Sequence, residues 1–484
     1  MRIKIVLHYL GLLIAITGLT MLLPLFWSLF NNGTDTSAFA ISTAISLVLG
    51  LLLWRVLPVK EKGMNRREAI MLVAASWIAA SFFGALPYVL SGAIPSFLDA
   101  YFESMSGYTT TGATVFTSIE TQAEGILLWR SLTQWLGGMG IIMLFVALFP
   151  ILGIGTAHLT EAEMPGGQQG ERLTARMQDT AKALWFIYFG MTITEFILLR
   201  IAGLPIFDAL TVTLSTTPTG GFTATNLSIG TYNSLFVETI VIFFMIAAGV
   251  NFGLYYFLIF KRQPKRLLNN SEFRLYIALI ILVTLILNID LIINMGLPFG
   301  EALRYSSFQT VSIMTTTGFA TADFNVWTNF AKSMLLVLMI IGASAGSTGG
   351  ALKVIRLLVL AKYTYNRILL AFNPRAVIPL KIERGIIPEG VISRIIGLAI
   401  LYFATLVICF LIMGSLGLDN ITALSSVIAT LGNIGPGLGM VGPIENYAFI
   451  PPLGKGVLTF CMLAGRLELF TLLMLFTPAF WRWR

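Results

Sequence analysis

Four short strings carry residue types and a spacing that could do chemistry on an ion: Thr110-Thr111-Gly112-Ala113-Thr114, Thr219-Gly220-Gly221-Phe222-Thr223, Thr316-Thr317-Gly318-Phe319-Ala320 and Asn433-Ile434-Gly435-Pro436-Gly437. Each has a central glycine with a small polar residue two positions ahead. Each follows a short segment and precedes a long apolar one. Glycine alone reaches positive φ without a side-chain penalty, and turning successive carbonyls toward one axis requires such angles. Four such loops on one chain can close a ring, and a ring of carbonyl oxygens is how a protein replaces the water shell of an alkali cation. The candidate ligands are Thr110, Thr111 and Gly112; Thr219, Gly220 and Gly221; Thr316, Thr317 and Gly318; and Asn433, Ile434 and Gly435.

Polar groups inside apolar sequence are the second signal. Arg466 lies within the last apolar stretch, where a cation costs at least about 2.5 kcal/mol unless it is paired or wet. Glu468 is two residues on and cannot share its helical face, so a local pair is not expected. The run Gly342, Ala343, Ser344, Ala345, Gly346, Ser347, Thr348, Gly349, Gly350 has no bulk and four glycines, and should not continue as straight helix. Gly137-Gly138 and Ala248-Gly249 are expected to serve helix packing alone. Glu195 is expected to make a structural hydrogen bond rather than relay protons. Cys409 and Cys461 fall in apolar segments and read as buried free thiols. His8 and His158 are far apart, and the chain holds no nucleophile triad, nucleotide loop or metal spacing, so an enzyme is not expected.

The elements that must hold these residues are membrane helices. The 484 residues are 56% hydrophobic and 11% charged, against about a quarter charged in soluble domains, and the apolar residues form blocks long enough to span a bilayer. A helix pair near 7–30 and 37–58 comes first. Four units of one design follow, each an outer helix, a short helix, a loop and an inner helix. The predicted helices are 68–90, 97–109 and 129–153; 182–203, 206–218 and 234–260; 274–296, 300–315 and 331–362; and 392–416, 420–432 and 454–480. The implied divisions are 1–62, 63–165, 166–268, 269–375 and 376–484. The short helices cannot span, and their polar loops survive at membrane depth only against protein or water. Their starts carry Asp99, Asp208, Glu301 and Asp419, which should accept orphan amide hydrogens. Ser106, Ser215, Ser312 and Ala429, six residues before each central glycine, should let them pack closely. Lys and Arg cluster in alternate loops (Lys60, Lys62, Arg172, Arg262 and Arg375 among them), with Asp99, Glu103, Glu120, Glu238 and Glu445 in the intervening ones. That bias puts both termini in the cytoplasm and makes the basic runs topology signals rather than nucleic-acid patches. Trp129, Trp135, Trp327 and Trp481 read as interface anchors.

The four loops, the repeated order of elements and the string Gly465-Arg466-Leu467-Glu468 resemble the Trk/Ktr/HKT superfamily of potassium transporters. The N-terminal helix pair and Asn433-Ile434-Gly435-Pro436-Gly437-Leu438-Gly439 are similar to its bacterial TrkH branch, and the resemblance covers essentially the whole chain. It implies an all-α membrane protein with ten spanning helices and four re-entrant ones, its four membrane-pore-membrane hairpins arranged pseudo-fourfold around one pore. It implies potassium-selective uptake across the bacterial cytoplasmic (inner) membrane, with K+ as cargo and no organic cofactor. Gly112 stands where sodium-preferring plant members carry Ser. Arg466 would be an electrostatic barrier below the filter, and residues 342–350 a gating loop. A homodimer and cytoplasmic TrkA-type nucleotide-binding regulatory subunits are the implied partners. The alternative function is a proton- or sodium-coupled cation symporter working by alternating access, although four units pointing the same way argue against inverted halves.

Overall fold

The computed structural model describes residues 2–59, 64–140, 177–383 and 385–482. Lys60, Lys62, His158, Arg172 and the 141–153 half of the first predicted inner helix lie outside them. At the N-terminus, Ile3–Thr20 continues as Leu22–Phe30 and returns as Thr36–Val56. Small residues let this pair approach: a methyl added at Gly50 would meet the backbone of Ala15, and one at Gly11 the backbone of Gly50. Lipid tails give helices no hydrophobic drive to associate, so close backbone contact takes its place. Arg2 then ties the pair to the first unit through Glu68, Nη2 to Oε2 at 2.9 Å.

Four units follow. Their outer helices are Arg66–Gly84 continued by Leu86–Leu90, Met177–Ile201, Ser271–Met295 and Glu389–Ser415. Their short helices are Phe97–Tyr108, Ile206–Thr216, Phe299–Met314 and Asn420–Leu431, within a few residues of prediction. At 11 to 16 residues they reach roughly 16–24 Å, less than the ~30 Å of hydrocarbon, so each dips in and its loop returns. On the outside, apolar side chains such as Ile400, Phe403, Val407 and Leu411 are exposed along one outer helix, a surface suited to lipid and not to water.

The inner helices depart from expectation. Beyond the break expected at 342–350, others occur, and six continuous helices among the described residues are long and apolar enough to cross a membrane. Every inner helix stops partway. The first runs Glu124–Gly138; the second is Leu235–Ala248 followed, after a 96° bend, by Phe252–Ile259. The third is Asn329–Ile341, resuming at Val354–Phe372, and the fourth is Pro452–Arg466, resuming at Phe470–Met474. The first and fourth stop where a glycine meets the end of its own unit's short helix. A methyl on Gly137 would strike the carbonyl of Tyr108, and one on Gly465 the carbonyl of Leu431. A small antiparallel hairpin, Lys381–Ile382 with Gly385–Ile386, lies before the last outer helix; no sequence pattern signalled it.

The acidic starts of the short helices play more varied parts than expected. Only Asp419 caps its helix with its side chain, accepting from Thr422 N at 3.1 Å, and hydrogen bonds from Thr422 hold its carboxyl below the usual carboxylate range. In the first unit Ser96 makes the cap, at 3.4 Å to Asp99 N, while Asp99 receives Lys455 Nζ at 2.6 Å. The helices containing Asp208 and Glu301 are preceded at the cap position by Pro205 and Pro298, with no side-chain cap bond. Trp129 and Trp327 are buried in protein instead of anchoring at an interface, and Trp129 Nε1 donates to Gly84 O at 2.9 Å.

Candidate ion-binding site

Each loop is built the same way at the backbone. The amide just before the central glycine donates to a carbonyl five residues back: Thr111 to Ser106 at 2.8 Å, Gly220 to Ser215 at 2.9 Å, Thr317 to Ser312 at 2.9 Å and Ile434 to Ala429 at 2.8 Å. The small residues six before each glycine thus serve as acceptors as well as packing points. The central glycines all have positive φ: Gly112 +82°, Gly221 +80°, Gly318 +84° and Gly435 +98°. So do the residues two before them, Thr110 at 54°, Thr219 at 58°, Thr316 at 60° and Asn433 at 54°. For Asn this is tolerable, but for a β-branched Thr it is an outlier, and such strain persists only where the surroundings over-determine it. Nothing in the sequence signals it.

The four loops also face one another in cyclic order. A methyl added at Gly112 would meet Gly220 O, one at Gly221 would meet Thr317 O, one at Gly318 would meet Ile434 O, and one at Gly435 would meet Thr111 O, all under 3.0 Å. In each case the carbonyl belongs to the residue just before the next loop's glycine. The chain 112–221–318–435 returns to its start, so the four loops form a closed ring. A Cβ at any of these four glycines would push a carbonyl out of place.

Side chains outside the ring brace it, and most were not singled out from sequence. Glu103, read as a loop charge, is instead buried on the first short helix. It pairs with Arg130 Nε at 2.8 Å, with 1% and 0% of the two side chains exposed. Gln134 donates to Gly220 O at 2.6 Å and accepts from Phe222 N at 3.0 Å. Asn325 in the third unit donates to Gly439 O at 2.7 Å and accepts from its amide at 2.8 Å, joining the third loop to the fourth. Ala320 N donates to Ser228 Oγ at 3.2 Å between the second and third. Tyr447 closes the circuit: its amide donates to Thr114 O at 2.8 Å and its hydroxyl to Gly435 O at 2.7 Å.

The run 342–350 leaves helical geometry, with φ of +73° at Gly342 and Gly346 and +59° at Ala351. It lies against the C-terminal ends of the short helices. Gly350 N donates to Thr316 Oγ1 at 2.8 Å, and the hydroxyls of Thr348 and Thr219 are 3.3 Å apart. Thr348 Oγ1 also donates to Thr217 O and Ala248 O, at 3.3 and 3.2 Å. Glu272 ties the middle of the run to the helix after it, accepting from Ala345 N at 2.6 Å and Ile355 N at 3.2 Å.

Arg466 is the last residue of its helix rather than a mid-helix charge. Its guanidinium donates to Thr348 O at 2.9 Å, Gly137 O at 2.5 Å and Gly138 O at 2.8 Å. Gly137-Gly138 and Ala248-Gly249 therefore do more than pack: the breaks after them expose carbonyls that receive Arg466, Thr348 and, at Gly249 O, Ser344 N at 3.1 Å. Glu468 pairs with Arg356 at 2.5 Å and Lys353 at 3.3 Å. Glu195 accepts from Thr217 Oγ1 at 3.1 Å, the structural bond anticipated. Cys409 and Cys461 are both buried and free.

Four re-entrant hairpins from one chain, with their loops in a closed ring and their inner helices broken beneath it, define the class of single-chain pseudo-fourfold membrane transport proteins. The comparisons with known proteins agree. The family model described as TrkH, a cation transport protein, matches residues 35–482, and the chain belongs to that family. It is 38% identical over 488 residues to the Trk system potassium uptake protein TrkH of Salmonella typhimurium, covering all of both chains. It is 31% identical over 482 residues to the Trk system potassium uptake protein TrkG of Escherichia coli, covering 99% of each. The crystal structure of the potassium transporter TrkH from Vibrio parahaemolyticus superposes with a TM-score of 0.90 at 35% identity over the whole of both chains. A transporter, not an enzyme, is what these relatives bear out.

Proposed function

We propose that the chain is a potassium-selective uptake protein of the bacterial cytoplasmic membrane, with both termini in the cytoplasm and the ring of loops as its filter. The carrying observation is the cyclic approach of Gly112, Gly221, Gly318 and Gly435 to the carbonyls of Gly220, Thr317, Ile434 and Thr111. Twelve residues, Thr110 to Gly112 and their counterparts, supply oxygens that replace water around K+. The short helices end at the ring, so their negative poles favour a cation beside it. Residues 342–350 act as the gate, a reading supported by their contacts with Thr217, Thr219 and Thr316 on the side of the ring where those helices end. Arg466 acts as the barrier and holds the gate. An inside-negative potential of 100 mV gives about 2.3 kcal/mol inward per charge, which drives accumulation without chemistry in the chain. A homodimer and cytoplasmic TrkA-type subunits belong to the same proposal, the basic cytoplasmic loops offering such a subunit a docking surface.

The test is reconstitution of the full chain into vesicles, with rubidium and sodium uptake compared between the parent and Gly112→Ser. The parent should favour rubidium with no co-ion requirement. In the variant, a side chain at φ +82° aimed at Gly220 O should displace the ring and relax or invert the preference. A variant with parental selectivity would remove Gly112 from the filter. Uptake that requires a proton or sodium gradient would favour the symporter.

A further inference from the structure

The Glu103–Arg130 pair has no counterpart in the other units: the positions nine before the central glycine are Glu103, Val212, Gln309 and Ser426. Stability alone does not call for it. Replacing a fully buried ion pair by apolar groups of similar volume is often neutral or stabilising. What apolar groups cannot supply is direction. Arg130 donates from Nε to Glu103 Oε1 at 2.8 Å, from Nη2 to Thr114 Oγ1 at 3.2 Å and from Nη1 to Thr223 O at 3.0 Å. Glu103 accepts in addition from Thr114 Oγ1 at 3.0 Å and Val115 N at 2.8 Å. Thr114 and Thr223 are equivalent positions, each two residues after its central glycine, on adjacent loops. The guanidinium plane is held by Phe222 and Phe116, with ring centroids 4.1 and 5.1 Å away. A planar fork of charge-assisted bonds packed against two rings permits little change in the distance between its acceptors.

We propose that Glu103 and Arg130 are positioning residues for ion discrimination, holding the first and second loops at one spacing so that a smaller ion cannot draw the ring inward. This rests on the reading of the loops as a filter. Neither residue touches the ion. Their effect falls on the ratio between ions, whereas a merely structural pair would affect only yield and melting temperature.

The deciding experiment uses the purified full chain in vesicles, with rubidium-86 and sodium-22 uptake measured beside the detergent melting temperature. The double variant E103L/R130M keeps the buried volume apolar but takes the partners of Val115 N and Thr223 O, so it should melt somewhat below the parent. Its sodium-to-rubidium uptake ratio should rise about tenfold, equivalent to ~1.4 kcal/mol of lost discrimination. If the double variant does not fold, Arg130→Lys decides. It keeps a cation opposite Glu103, but one ammonium cannot reach both Thr114 and Thr223; a raised ratio supports the proposal and a parental ratio overturns it. Gly112→Ser is measured alongside. A shift in Gly112→Ser with none in the pair variants overturns the positioning role and leaves the filter standing, while no shift in either overturns the filter reading itself.

Discussion

Replacing Arg466 separates its proposed barrier role from the anchoring that its hydrogen bonds make. Thr219 Oγ1 is 3.3 Å from Thr348 Oγ1, and Thr348 O is 2.9 Å from Arg466 Nη1. The path through Thr348 places the guanidinium within about 10 Å of the ring's inner rim, where at an effective dielectric near 20 it repels a monovalent cation by about 1.7 kcal/mol. Removing that charge should raise flux roughly 15-fold at fixed driving force. The anchoring role is different in kind: the same group bonds Thr348 O, Gly137 O and Gly138 O, and hydrogen bonds to a charged group contribute about 1.5–3 kcal/mol each. Arg466→Gln removes the charge and keeps a donor; Arg466→Lys keeps the charge and loses most of the fork. In rubidium uptake by vesicles holding equal amounts of folded protein, Gln should run about 15-fold faster and Lys near the parent. Equal acceleration by both would make the anchor dominant. A folded Arg466→Gln protein at parental flux would refute the barrier reasoning.

Glu272→Ala leaves the buried amides of Ala345 and Ile355 without their acceptor, at about 1–3 kcal/mol for each; hydrogen exchange across 343–355 should accelerate about tenfold or more while the outer helices keep parental protection. Asn325→Ala cuts both bonds to Gly439, so a loss of about 2 kcal/mol is expected, read as a lower melting temperature, and an unchanged melting temperature would mean the third and fourth loops hold together without it.

The four-unit plan was legible because glycine loops and block hydrophobicity are local signals, and each short helix falls close to its predicted span. The breaks in the inner helices were legible only where glycines are dense, at 342–350. At Gly137, Gly249 and Gly465 the helix stops where another segment meets it, at Tyr108, Tyr276 and Leu431, and no local pattern reports such a contact. The bracing side chains were hidden for the same reason. Glu103 looks like any acid in an extracellular loop until Arg130, Thr114 and Thr223 are seen around it. The positive φ of three threonines runs against their own preference, so no propensity argument could have reached it.

The central claim is that the four loops enclose one cation. An anomalous-scattering map of the full chain in rubidium tests this most directly. A rubidium peak on the axis, bounded by the carbonyls of Thr111, Gly220, Thr317 and Ile434, is the expected result. A well-phased map from protein competent in rubidium uptake, with the ring intact and rubidium bound only elsewhere, would contradict it.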